Sequence, residues 1–183
     1  MSQYEKYRGQ TVRLNGYDYG SDGAYFITIC SYNRRCIFGT IKNEIMHLSE
    51  LGKSIEEEWF KTPTIREYIT LGKFTVMPNH IHGIIFIHKH STAPLLLTSE
   101  VIFSKIQLTG FKNSFGPQKE NLGSVIRGFK SAVTTRERKR GNTAKIWQPK
   151  FHEHIIRNQE ELLRIENYIS MNVKKWNEDK FSQ

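Results

Sequence analysis

The chain has 183 residues, 38% hydrophobic and 25% charged, with 27 Lys and Arg against 18 Asp and Glu for a net charge of +9. This is enough chain for one domain with a substantial core, and it contains neither a run approaching the roughly 20 apolar residues of a transmembrane helix nor a signal-peptide-like apolar stretch at residues 1–10. The basic balance favours a polyanionic partner, nucleic acid before a membrane surface, and two cysteines, Cys30 and Cys36, make no disulfide framework, which points to a reducing cytoplasm.

In chain order, residues 4–23 are polar, with turn residues at Asn15-Gly16 and 20–23. Residues 24–31 (AYFITICS) are rich in β-formers and predict a central strand. Asn33-Arg34-Arg35 is a basic turn, and residues 36–47 have room for a short strand or hairpin. From Ser49 to Lys61 the apolar residues Leu51, Ile55, Trp59 and Phe60 fall near helical spacing, with Ser49 as N-cap and Pro63 as the stop. Residues 68–77 and 81–88 are two strands about Pro78-Asn79, or one long bent strand; this is the strongest β signal in the chain. Residues 90–120 lack a sustained period and read as a variable insertion, with a short strand conceivable at 101–103. Residues 122–140 predict a helix with an apolar stripe of Val125, Ile126, Phe129, Ala132 and Val133, ended by Gly141-Asn142. An aromatic-rich stretch, 146–156, precedes a last helix that Asn158 caps, with Glu161 in a capping-box position, running towards Lys175. One domain, 1–183, without internal repeats follows. Its expected fold is α+β, a ferredoxin-like (RRM-like) antiparallel sheet with helices packed mainly on one face.

Three His-x-His patterns occur. In His80-Ile81-His82 a strand puts both imidazoles on one face and turns Ile81 into apolar packing. Two imidazoles on one rigid strand are most of a divalent-metal site, although the pattern alone is weak. His88-Lys89-His90 runs into the polar insertion, about 20 Å further along the strand. His152-Glu153-His154 lies where strand character is uncertain. On the last helix Tyr168 and Asn172 stand one turn apart on one face. An amide oxygen from Asn172 can complete the ligands of a metal at His80 and His82, and Tyr168 then stands where a nucleophile for phosphorus is needed. Taken alone, a tyrosine such as Tyr168 is more often a core aromatic with a satisfied hydroxyl. Between residues 127 and 150 lie Arg127, Lys130, Arg136, Arg138, Lys139, Arg140, Lys145 and Lys150, with Glu137 the one acidic residue. That stretch reads as a phosphate-binding surface or a solvated helix face. Trp147, Phe151 and Tyr25 suit base stacking or, more simply, the core.

These residues carry a resemblance. Met77-Pro78-Asn79-His80-Ile81-His82 resembles the HUH motif (His, bulky apolar, His) of single-tyrosine transposases. Arg13-Leu14 with Tyr17-Asp18-Tyr19, Gly23-Ala24-Tyr25-Phe26 and Asn33-Arg34-Arg35 resemble that family's opening. Ser124-Val125-Ile126 with Phe129-Lys130-Ser131 resembles its middle helix. Ile146-Trp147-Gln148, His154-Ile155-Ile156-Arg157-Asn158, Tyr168-Ile169 and Asn172 resemble its C-terminal signature. The group most similar is the REP-associated tyrosine transposases (RAYTs), relatives of the IS-two-hundred-like transposases.

The resemblance implies metal-dependent cutting and rejoining of single-stranded DNA beside hairpin, REP-like sequences. Tyr168 is the implied nucleophile, leaving a 5′-phosphotyrosine and a free 3′-hydroxyl. His80, His82 and Asn172 are the implied ligands of Mg2+ or Mn2+. The family often places Pro after that Asn; here Val173 follows, so the helix is free to continue. Arg127, Lys130, Arg138, Lys139, Arg140 and Arg157 are the expected DNA contacts. Relatives of this type pair subunits across the sheet or act as monomers, and both states stay open. Two alternatives also stand: a module of the same fold that holds hairpin DNA or RNA without cutting it, and a phosphodiesterase that uses water as nucleophile.

Overall fold

The computed structural model describes Tyr19 and residues 21–89 and 120–178. The turn at Asn15-Gly16, the matches at Arg13, Leu14, Tyr17 and Asp18, His90, and the expected insertion up to residue 119 lie outside the described residues.

A four-stranded antiparallel sheet organises the molecule. It is built from β1 (Gly23–Cys30), β4 (Ile69–Val76), β5 (His80–Ile87) and β6 (His152–Ile156), in the order β4-β5-β1-β6. β2 (Gly39–Lys42) and β3 (Ile45–Leu48) form the expected separate hairpin. Pro78 and Asn79 divide β4 from β5, so the two-strand reading holds and the single bent strand does not. β5 is buried along its whole length, which its near-continuous apolar run already implies.

The helices are α1 (Glu50–Phe60), the short α2 (Thr62–Ile65), α3 (Leu122–Lys139) and α4 (Gln159–Met171). Ser49 caps α1 by accepting a hydrogen bond from the Gly52 amide at 3.0 Å. α1 ends as expected before Pro63, at Phe60 with Lys61 as C-cap, and Pro63 then lies in the first turn of α2, where its missing N–H is harmless. α3 begins with a capping box: Asn121 Oδ1 accepts from the Ser124 amide at 2.8 Å, and Ser124 Oγ accepts from the Asn121 amide at 3.1 Å. Gly141 ends that helix at a φ of +88°, a left-handed conformation that suits glycine. Asn158 caps α4, but the reciprocal half of the expected box is missing. Glu161 instead accepts from the Arg157 amide at 2.9 Å and pairs with His154 at 2.7 Å.

The sheet separates two cores. Tyr25, Ile27 and Ile29 of β1 and Ile81, Ile85 and Ile87 of β5 pack against Trp59 of α1 and Val125, Ile126, Phe129 and Val133 of α3. Ala24, Ile84, Phe86 and Ile156 face the other way, onto Leu162, Ile165 and Ile169 of α4. α1 and α3 therefore share one face as expected, while α4 covers part of the opposite face. Tyr25 is fully buried, and Trp147 and Phe151 pack at the edge of the larger core, so the core reading of these aromatics holds.

Candidate active site

Strand alternation positions the site. With Ile81, Ile85 and Ile87 committed to the larger core, His80 and His82 point to the α4 side. Both are buried. Their Nε2 atoms lie 3.0 Å apart, and each Nδ1 is held from behind. His80 Nδ1 is 2.8 Å from Asn79 Oδ1, and His82 Nδ1 is 2.8 Å from Thr28 Oγ1. The Asn79 amide nitrogen donates to the Arg34 carbonyl at 3.1 Å, which fixes the orientation of the carboxamide. A carboxamide oxygen only accepts, so His80 carries its proton on Nδ1 and presents a lone pair on Nε2. The Thr28 hydroxyl can impose the same tautomer on His82 by accepting. With Thr28 accepting from His82 Nδ1, the two imidazoles would turn their Nε2 lone pairs to one point, each backed by a second group.

Tyr168 reaches the same place from α4. Its hydroxyl lies 3.3 Å from His82 Nε2, and the residue remains 42% exposed, so a polymer substrate can approach it. Phe26 stacks on His82 at 5.2 Å and meets Tyr168 edge-on at 6.0 Å, restraining both rings. Trp176 lies 6.1 Å from His80.

Asn172 is one helical turn beyond Tyr168, at the C-cap of α4, and is 3% exposed. The helix ends there rather than running to Lys175, although Val173 does not forbid continuation; the next segment is a turn and a short 3-10 helix, Trp176–Glu178. Asn172 Oδ1 is buried without a hydrogen-bond partner among the described residues. A buried acceptor is normally satisfied, so this oxygen suits a bound cation. As a donor set, two imidazoles and one amide oxygen are of the kind that a divalent ion such as Mg2+ or Mn2+ takes. Among the described residues no group of three or more His, Cys, Asp or Glu side chains forms a fuller cage.

The expected phosphate contacts are placed differently. α3 packs on the face of the sheet opposite the histidines, so Arg127, Lys130, Arg138, Lys139 and Arg140 are not brought beside them. Lys130 donates to the Gln148 and Lys150 carbonyls at 2.7 and 3.1 Å, and burial pulls its ammonium down to about 8. Arg140 is tied to Ser54 and Glu137 at 2.7 and 3.1 Å, and Arg136 pairs with Glu57 and Glu58. Arg127, Arg138 and Lys139 are exposed, and Arg157 is exposed between β6 and α4. His154 belongs to the Glu161 pair, and His88 bonds to Thr70 at 2.8 Å, so neither joins the central histidines. His152 shares the row of Thr28 and His82, two strands from His82 and thus about 10 Å across the sheet. Asn79 and Thr28 are the functional positions that sequence reasoning missed. Asn79 was detectable as a polar residue inside the apolar motif; Thr28 required the strand register.

Comparisons with known proteins follow this geometry. A solved structure, "Structure of the REP associates tyrosine transposase bound to a REP hairpin", aligns over 91% of this chain and 74% of that chain at a TM-score of 0.57 and 21% identity. The chain thus has the fold of the REP-associated tyrosine transposases. It belongs to one family with an uncharacterised protein of Haemophilus influenzae (strain ATCC 51907 / DSM 11121 / KW20 / Rd), 35% identical over 93% of this chain and 91% of that protein. No family model matches the chain. Among the described residues no helix is long and apolar enough to cross a membrane.

Proposed function

We propose that this protein is a metal-dependent DNA strand transferase of the HUH single-tyrosine class, acting on single-stranded DNA beside a hairpin, as a RAYT does. The observation that carries this reading is the Tyr168 hydroxyl 3.3 Å from one of two buried imidazoles whose Nε2 atoms converge. A Mg2+ or Mn2+ ion held by His80, His82 and Asn172 would supply Lewis-acid polarisation of the scissile phosphate. Tyr168 attacks phosphorus: the Tyr O–P bond forms, the P–O3′ bond breaks, the phenolic proton leaves to solvent, and the 3′-oxygen departs as a hydroxyl after taking up a proton. The phosphotyrosine retains the ester for rejoining to another 3′-hydroxyl. Asn79 and, by accepting from His82 Nδ1, Thr28 would hold the imidazole tautomers that this requires. The hairpin in the similar solved structure favours a hairpin substrate here.

The test is covalent trapping. Labelled hairpin DNAs from the flanks of the gene are incubated with protein and Mn2+ or Mg2+, then run on denaturing gels. A metal-dependent protein–DNA adduct, lost in Tyr168→Phe and His80→Ala, is expected. Cleavage without an adduct that survives Tyr168→Phe would point to water as nucleophile. Binding without cleavage would point to a non-cutting module.

A further inference from the structure

Helix α4 lays Leu162, Ile165 and Ile169 on the sheet, yet its opposite side is not uniformly polar. Leu163, Tyr168 and Met171 are 56%, 42% and 37% exposed. Single apolar residues scattered over a surface need no explanation. These share one side of the helix with cations. At about 100° per residue, Leu163, Arg164, Asn167, Tyr168, Met171 and Lys175 fall within about 140° of arc. Arg164, Tyr168, Met171 and Lys175 make its narrowest line, because they follow one another at i+4, i+3 and i+4.

The line continues past the last residue of α4. Asn172 keeps helical backbone, φ −62° and ψ −41°, and the Lys175 amide donates to the Met171 carbonyl at 3.1 Å. Lys175 is exposed. Between Leu162 and Lys175 the one carboxylate is Glu166, which lies outside the arc. Arg164 lies 3.5 Å from Glu161 Oε1, with its own side chain 75% exposed. That carboxylate already accepts from the Arg157 amide and pairs with His154. An exposed pair of this kind is weak, so a phosphate competes readily for the guanidinium. Tyr168 therefore stands at a border. Buried Asn172 lies one turn on towards the sheet, and the exposed line of cations and methionine runs along its outer side.

We infer that the outer face of α4 is a track for single-stranded DNA, on which Arg164 and Lys175 hold phosphates on either side of the one that Tyr168 attacks. One turn separates Arg164 from Tyr168, about 6 Å of helix axis, a distance that long side chains match to one nucleotide step of an extended strand. Met171, between Tyr168 and Lys175, offers a flexible apolar contact to the intervening sugar or base. Leu163 extends the apolar side beyond Arg164. Contacts to phosphate carry no base information, so the track sets the path and register of the strand and not its sequence. The inference rests on reading Tyr168 as the nucleophile.

The experiment measures binding of full-length protein to a fluorescent oligothymidine dodecamer in EDTA, where metal-dependent cutting is off. Arg164→Ala with Lys175→Ala is expected to weaken binding and to reduce the dependence of log affinity on log salt by about 0.7 per lost contact. Arg164→Lys should retain the slope. Lys174→Ala, which removes a neighbouring charge about 100° away around the helix, should change the slope far less. Thermal melting confirms that each variant folds. A second readout locates the strand: the dodecamer should protect Met171 from oxidation by hydrogen peroxide, read by mass spectrometry, and leave Met46 unprotected. No binding, a slope unchanged in the double variant, or an unprotected Met171 overturns the inference. Covalent trapping on the same preparations separates the two readings. A Tyr168 adduct with Met171 unprotected removes only the track. Protection of Met171 and a lowered slope without an adduct remove only the strand transferase.

Discussion

At the scale of single residues, Asn172 and Asn79 do opposite things with the same carboxamide. Asn79 uses both ends, its oxygen on His80 and its nitrogen on the Arg34 carbonyl. The Asn172 oxygen is buried without a partner among the described residues, at a typical cost of about 1–3 kcal/mol. A side chain of similar shape without polar atoms should relieve that cost. Asn172→Leu is therefore expected to leave the melting temperature of metal-free protein unchanged or raise it, while Mn2+ no longer raises it further. Differential scanning calorimetry with and without Mn2+ checks both halves; a large loss of stability without metal would show that Asn172 is structural. Thr28→Val and Asn79→Ala each release an imidazole from its second hydrogen bond. Mn2+ affinity measured by titration calorimetry should fall by about 10- to 100-fold in each. An unchanged affinity would remove the tautomer argument.

At the scale of elements, β5 is both the core of the sheet and the support of the site. Gly83, between His82 and Ile84, is there because α1 needs its space. A Cβ at Gly83 would lie 2.4 Å from Cζ2 of Trp59, a side chain stacked on Phe74 and held edge-on by Phe129. Gly83→Ala should cost about 1–3 kcal/mol through overpacking, read as a lower urea midpoint with an unchanged slope. Metal affinity should fall with it, because the histidine strand must shift. Lys130 has a comparable role on α3, holding residues 148–150 through two carbonyls. Its ammonium titrates at about 8 against an ordinary 10.5. Between those values the unfolded chain binds the extra proton, so stability rises with pH, by up to about 1.4 kcal/mol per pH unit for this group. Denaturation at pH 7.5 to 10.5 should show that rise in the native protein and lose it in Lys130→Met. A pH-independent difference between the two would overturn the assignment.

At the scale of the whole molecule, the basic stretch and the histidines occupy opposite faces of one sheet. Positive charge on α3 is thus not placed beside Tyr168; it is suited to DNA that wraps the sheet end or lies on the far face. Arg138→Ala with Lys139→Ala should weaken hairpin binding and reduce the dependence of log affinity on log salt by about 1 per lost contact. Once DNA is saturating, the rate of Tyr168 adduct formation should not change. A slowed adduct step under saturation would mean that these residues reach the reacting phosphate after all.

The sequence alone was enough for the local features, because their physics is local. Period-two alternation places His80 and His82 on one face whatever the fold around them, and i,i+4 spacing aligns Tyr168 with Asn172. Ser49 and Asn158 mark their helix starts because a cap needs only its own first turn. Pro63 marks the end of α1 for the same reason, whereas the Glu161 half of the capping box is not local, because it depends on His154 and Arg157, which Glu161 bonds instead. What tertiary structure decided is non-local. Strand register sets Thr28 opposite His82, and the packing of α4 brings Tyr168 over that pair. The choice of sheet face for α3 carries the basic stretch away from the histidines and leaves Glu137 buried against Ser54. No spacing within one segment encodes these outcomes, because each depends on which apolar surface of one element buries another distant in the chain.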